Sequence, residues 1–156
     1  MLGASQLLRG ENWDRWPKGW TRDSEAVIYD SNPRGRWEIF KQDLQTHQTQ
    51  SLLSGSDNYR DGVVSPDGQW LLFTQNPSGA SKGESARLMR MPMNGGPATS
   101  VLSGEFSYDC ASQADVCVIA EDSKDRRIFS SLDPVKGRGS ELARADLGSE
   151  EYEISL

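Results

Sequence analysis

Short apolar runs separated by polar turn segments occupy almost the whole chain. In its middle the runs are Asp61–Ser65, Trp70–Gln75, Arg87–Met91 and Thr99–Leu102. Val, Ile, Leu, Phe and Trp dominate them, and these residues favour β-strands. Because no window of the chain keeps an apolar stripe of helical period, the pattern predicts strands alone.

The segments between these runs carry turn residues. Ser65-Pro66-Asp67-Gly68 suits a type I turn, with proline second and glycine fourth. Gly95 and Gly96 can adopt the positive φ of a tight connection after the third strand.

The whole pattern repeats. The near-copies SQLLRG, SLLSG and SVLSG close at Gly10, Gly55 and Gly104, roughly 45 to 50 residues apart. Four strands in a repeat of this length are typical of a β-propeller blade. We therefore predict an all-β partial β-propeller, with about three four-stranded antiparallel blades and one extra strand at each end.

The predicted units follow from the glycine positions. They are the last strand of a preceding blade (1–10), three blades (11–55, 56–104 and 105–148) and the first strand of a following blade (149–156). Propellers close with four to eight blades, so each end blade would present an apolar face. We expect that face to contact the rest of a parent propeller or another copy of the chain.

Composition limits the partners of this segment. The chain has 156 residues and a formal net charge of −6, which argues against binding to a nucleic-acid backbone. It contains no apolar run of 18 residues, and its first residues lack the pattern of a signal peptide.

The five tryptophans predict a packed apolar core. Trp16 and Trp20 are expected to pack within the first blade, and Trp37 and Trp70 are expected to pack in contacts between sheets.

Cys110 and Cys117 flank a predicted hairpin turn at 112–115, which would place them opposite each other. Two interpretations stay open. One is a cross-hairpin disulfide, which would imply an oxidising compartment. The other, which we favour here, is a pair of small, buried, unbonded side chains.

Candidate chemistry is sparse. His47 is the only histidine and lies in a polar connection, so no Ser-His-Asp set can be assembled. No spacing of acids, cysteines or histidine indicates a metal site, and the glycine-rich NGGP segment joins two strands rather than opening a helix. The sequence predicts no catalytic residue, cofactor or metal.

One pattern stands above this background. Each connection into a new repeat begins with glycine and then carries an aromatic residue and an acid, which a propeller would gather on one face near its axis. This predicts a partner-binding face for a cationic or peptidic ligand, built from Trp13, Asp14, Tyr59, Arg60, Asp61, Tyr108 and Asp109. The alternative, which we favour from the sequence alone, is that these aromatics pack against the next blade and the acids cap turns.

The segments SPDGQWLLFTQ and ARLMRMPMNGGPATSVLSG, with WDRWPKGWTRDSEAVIYDSNPRGRWEIFKQDL before them, resemble the WD40-like repeat of the TolB-like propeller superfamily. The closing segment DPVKGRGSELAR resembles the ends of such blades in large bacterial proteins that join a propeller to a winged-helix or serine/threonine kinase domain. The third repeat departs from the pattern, with Gln113-Ala114-Asp115 in place of Pro-Asp-Gly.

The resemblance implies a non-enzymatic segment of a larger bacterial regulator that binds a protein, peptide or small ligand. The alternative is a gating propeller of a prolyl-oligopeptidase-like hydrolase whose catalytic domain is separate. An extracytoplasmic position would follow if the parent protein is anchored in a membrane.

Overall fold

Three four-stranded antiparallel sheets make up the protein in a computed structural model, which describes residues 14–79, 85–111 and 114–147. Within each sheet the strands lie side by side in chain order, as in propeller blades. No described residue is helical, so the all-β prediction is confirmed. The extra strands predicted at 1–10 and 149–156 fall outside the described residues.

We call the sheets blades 1, 2 and 3. Blade 1 consists of β1 (Arg15–Trp20), β2 (Ala26–Ser31), β3 (Glu38–Asp43) and β4 (Thr49–Leu53). Blade 2 consists of β5 (Asn58–Val64), β6 (Trp70–Asn76), β7 (Ala86–Pro92) and β8 (Thr99–Gly104). Blade 3 consists of β9 (Ser107–Ala111), β10 (Val116–Ser123), β11 (Arg126–Asp133) and β12 (Gly137–Asp146).

The turn between β5 and β6 forms as its residues predict. Gly68 has a φ of +74° and donates its N–H to the Ser65 carbonyl at 2.8 Å. The Ser65 hydroxyl accepts the N–H of Trp70 at 2.9 Å. Thr21 does the same for Ala26 in blade 1, at 3.0 Å, so the two blades begin their second strands with the same side-chain-to-backbone bond.

Alternation along β6 divides the core into two layers. Leu71 and Phe73 face blade 1, whereas Leu72 faces blade 3. The first layer is buried between blades 1 and 2, and its fully or almost fully buried members are Ile28, Ile39, Leu71, Phe73 and Met91. The second is buried between blades 2 and 3, and its members are Leu72, Leu88, Cys117, Ile119 and Leu132. The core therefore lies between the sheets, as a period of two requires for a sheet covered on both faces.

The fourth strand of each blade is paired on one side only among the described strands. Each carries a register shift against the third strand: at Ile39/Phe40 in blade 1, Leu88/Met89 in blade 2 and Phe129/Ser130 in blade 3. Bulges of this kind disfavour the addition of another strand at an exposed edge.

The prediction that Trp16 and Trp20 pack within blade 1 is wrong, because each side chain is 58% exposed. Both lie on β1, which among the described strands pairs with β2 alone. Trp37 and Trp70 are half-buried, with guanidinium carbons over their rings at 4.5 Å (Arg60) and 4.7 Å (Arg90). Only the first of these two contacts joins different blades.

Candidate functional site

The first strands of the three blades, β1, β5 and β9, lie next to one another. A cleft of about 370 Å³ opens between them, and all three blades contribute to its wall. The side chains that give the cleft its chemistry are Lys18, Asp61, Thr74, Phe106, Tyr108 and Asp109. A second cleft of about 370 Å³ adjoins it and shares Lys18, Val63 and Asp109.

Asp61 is the residue that connects the blades at this cleft. It sits in a bulge of β5 with a φ of +59°. Its N–H donates to Asp30 Oδ2 of blade 1 at 2.7 Å, and its carbonyl accepts the Tyr108 hydroxyl of blade 3 at 2.6 Å. Its carboxylate accepts a hydrogen bond from Lys18 Nζ at 2.7 Å. The left-handed conformation of Asp61 thus turns its peptide groups toward both neighbouring blades.

Asp30 is the buried member of this network, with a side chain that is 1% exposed. Burial raises the pKa of its carboxyl, although the N–H of Asp61 and the ammonium of Lys18, 3.5 Å away, act in the opposite direction. Burial alone would lower the pKa of Lys18, but its hydrogen bond to Asp61 and the charge of Asp30 outweigh this and raise it. Lys18 therefore stays protonated and supplies the positive charge that two carboxylates share.

Tyr108 provides the neutral contact. Burial raises the pKa of its phenol far above the ordinary value, so the hydroxyl keeps its proton and acts as a donor. The Thr74 hydroxyl lies 3.5 Å from the phenol oxygen. These contacts fix one wall of the cleft relative to the other.

The predicted partner-binding residues divide between this cleft and other places. Asp61, Tyr108 and Asp109 line the cleft together. Tyr59 instead packs edge-on against Phe73, with ring centroids 6.0 Å apart, and Arg60 covers Trp37. Asp14 is exposed at the start of blade 1, and Trp13 is outside the described residues.

Sequence reasoning missed three residues of the network: Lys18, Asp30 and Thr74. Asp30 ends the apolar run AVIYD, a position at which the pattern suggests a return to solvent. Its burial depends on the bulge at Asp61, which belongs to the next repeat. The one available signal is the shared place of Asp30 and Thr74 in the second strands of successive repeats.

The structure joins Cys110 and Cys117 in a disulfide, with an S–S distance of 2.00 Å. The two residues are directly opposite in the pairing of β9 with β10, as a hairpin turning at 112–115 requires. The interpretation of unbonded side chains, favoured from the sequence, is therefore corrected. Cys117 is buried in the second core layer, whereas Cys110 is half-buried and lines the second cleft.

The described residues bring no further candidate chemical groups together. His47 lies exposed in the connection between β3 and β4. Within residues 14–79, 85–111 and 114–147, no group of three acids, cysteines or histidines is arranged to hold a metal ion. In the same ranges no helix is long and apolar enough to cross a membrane.

No family model matches the chain, and no curated protein matches it either. Solved structures do. A protein assigned as TolB from Agrobacterium tumefaciens superposes with a TM-score of 0.69 and 16% identity, over 88% of this chain and 52% of that one. TolB from Acinetobacter baumannii superposes with a TM-score of 0.62 and 17% identity, over 86% of this chain and 34% of that one. The fold is a partial TolB-like β-propeller.

The chain is also similar to a puromycin-hydrolyzing peptidase from Mycobacterium tuberculosis, with a TM-score of 0.59 and 18% identity, over 92% of this chain and 23% of that one. In all three comparisons this TolB-like segment spans about half or less of the other protein. At such identities the likeness concerns the fold, and function has to be argued from the cleft.

Proposed function

We propose that this chain is a non-enzymatic binding segment of a larger bacterial regulatory protein. In this proposal the cleft between β1, β5 and β9 holds a positively charged group of a protein or peptide partner. The proposal rests on the make-up of the cleft wall, where the carboxylates of Asp61 and Asp109 accompany a single ammonium, that of Lys18. Lys18 is already paired with Asp61, which leaves the exposed Asp109 as the carboxylate a ligand would meet.

The geometry supports binding rather than chemistry. The phenol of Tyr108 is held as a donor to a backbone carbonyl, and Asp30 is enclosed, so neither is placed to exchange protons with a ligand. Rigid strands carry the polar groups, which limits the entropy lost when a partner docks.

Isothermal titration calorimetry with two unlabelled pentapeptides, Ala-Lys-Ala-Lys-Ala and Ala-Glu-Ala-Glu-Ala, tests this function. We expect the lysine peptide to bind more tightly and Asp109→Asn to weaken it about two- to fivefold, as for an exposed charge pair. Asp115→Asn is the matched control, because Asp115 is exposed in the same blade at the far end of the β9–β10 hairpin. Equal affinity for both peptides, or equal loss in both variants, would reject the cationic ligand.

A gating propeller of a hydrolase is the second candidate. It is favoured by the likeness to the Mycobacterium tuberculosis peptidase and to a structure from a study of two prolyl endopeptidases, with a TM-score of 0.55 and 15% identity over 79% of this chain. Sequencing the coding DNA on both sides of this segment separates the two. An adjoining α/β-hydrolase would favour gating, and an adjoining winged helix or kinase would favour regulation.

A further inference from the structure

We infer that the Cys110–Cys117 disulfide is a redox-operated latch on the cleft: it holds β9 in the cleft wall, and reduction by a dithiol releases that strand. The latch concerns the cleft used in the proposed function. Its test needs no ligand, so either idea can fail without the other.

The position of β9 makes it dependent on such a latch. β9 is five residues long and pairs with β10 alone among the described strands. It nevertheless carries Tyr108 and Asp109, two of the residues that line the cleft. A short strand with a ladder on one side opens locally more easily than a central strand does.

Several contacts besides that ladder hold β9 in place: Tyr108 and Cys110 pack against the layer between blades 2 and 3, and the Tyr108 hydroxyl lies 3.5 Å from that of Thr74. The Tyr108 hydroxyl donates to the Asp61 carbonyl of blade 2, and the disulfide ties Cys110 to the opposite residue of β10. Cys117 anchors the bond in the layer between blades 2 and 3, where it packs with Leu72, Leu88 and Ile119 at 3% exposure. The covalent contact therefore transmits the rigidity of the core to the cleft wall.

The two sulfurs differ in access, which sets the direction of reduction. Cys110 is half-buried and lines the second cleft beside Trp20 and Pro66, whereas Cys117 is enclosed. A thiolate of the dithiol attacks Cys110 Sγ, the S–S bond breaks, and Cys117 Sγ leaves and takes up a proton. The second thiol then attacks the mixed disulfide and releases Cys110 as a thiol. Two electrons and two protons pass to the protein, and the dithiol becomes its own cyclic disulfide.

Hydrogen exchange followed by mass spectrometry, with and without dithiothreitol, tests the latch on the full chain. We expect reduction to speed exchange of the amides at 107–111 about tenfold or more, while β2 and β6 keep their protection. The double variant Cys110→Ser/Cys117→Ser should exchange like the reduced protein and should not respond to dithiothreitol.

Three results would overturn the inference. Unchanged exchange at 107–111 after complete reduction would show that the disulfide holds nothing in place. Equal acceleration in all three blades would show a global stabiliser rather than a local latch. Alkylation of two thiols by iodoacetamide in the native, unreduced protein would show that the bond is absent. If the double variant does not fold, reduced wild-type protein supplies the same readout.

Discussion

The two interfaces between blades use the same apolar plan but different polar contacts. Between blades 1 and 2, the apolar layer around Phe73 is joined by an ionic network in which Lys18 and the enclosed Asp30 meet Asp61. Between blades 2 and 3, the layer around Leu72 is joined by a neutral hydrogen bond from Tyr108. Asp61 takes part in both, through its side chain and N–H on one side and through its carbonyl on the other.

The register of the strands shows that this difference arises at one repeat position. Asp30 pairs with Ile39, Thr74 with Leu88 and Ala120 with Phe129, so the three residues occupy corresponding places in their blades. The position holds a carboxylate, then a hydroxyl, then a methyl group. The repeat thus determines the apolar layers, whereas the residue at this position determines which polar contact each blade makes with its neighbour.

The largest expected effect comes from truncating the two layers separately. Phe73→Ala should lower the free energy of unfolding by about 3–5 kcal/mol and Leu72→Ala by about 2–5 kcal/mol, since both side chains are fully buried. Urea denaturation measures both losses. Val135→Ala, at a side chain 54% exposed, is the control and should change stability by less than about 0.5 kcal/mol. If Phe73→Ala cost no more than the control, the first layer would not exist.

Removing the side chain of Asp30 should cost more than removing the hydroxyl of Tyr108. Asp30→Ala leaves the N–H groups of Asp61 and Gly62 without their acceptor inside the interface, a loss of about 2 kcal/mol or more. Tyr108→Phe leaves one carbonyl unpaired, at about 1–2 kcal/mol. Thermal or urea unfolding compares the two variants. The reverse order would show that the neutral contact, not the ionic one, holds the blades together.

Gly62 sharpens the comparison further, because the backbone of blade 2 packs closely there against side chains of blade 1. A Cβ at this residue would lie 3.1 Å from Ile39 Cγ2 and 3.3 Å from Ile28 Cγ2. Gly62→Ala should therefore destabilise the protein by about 1–3 kcal/mol through overpacking. Gly19→Ala is the matched control, since its Cβ would meet nothing within 4 Å, and equal stability of the two variants would contradict the close approach.

The smallest effect is a pH dependence confined to the ionic interface. Because the pKa of Asp30 is raised in the folded state, the folded protein binds its proton more tightly than the unfolded chain does. As pH falls from neutral through the raised value toward the ordinary value of about 3.9, wild-type protein should gain stability relative to Asp30→Asn. Urea midpoints of both proteins between about pH 7 and 4 measure this difference. A difference that shrinks on acidification would mean that Asp30 is stabilised in its charged form.

Local sequence patterns were sufficient for the strands and turns. The run at 70–75 became β6, and the Ser65–Gly68 turn formed with the expected glycine, because these features depend on neighbours in the chain. The ionic network was not predictable in this way. It joins Lys18, Asp30 and Asp61 across two repeats, and it exists only because a bulge turns the Asp61 N–H toward Asp30.

The aromatic residues show the same limit. Tyr59 and Tyr108 follow their glycines at similar spacing, yet one packs with Phe73 and the other donates to a neighbouring blade. Their spacing from the preceding glycines was sufficient to place both residues on the first strands of their blades. Which way each side chain faces depends on the register of its own strand.

Methyl-to-methyl NOEs from specifically labelled protein test the central claim most directly, that adjacent residues of β6 face different blades. The structure predicts NOEs from Leu71 to Ile28 or Ile39, and from Leu72 to Ile119 or Leu132. NOEs joining Leu72 to Ile28 or Ile39 would place both layers on one face of the sheet and would contradict the propeller arrangement.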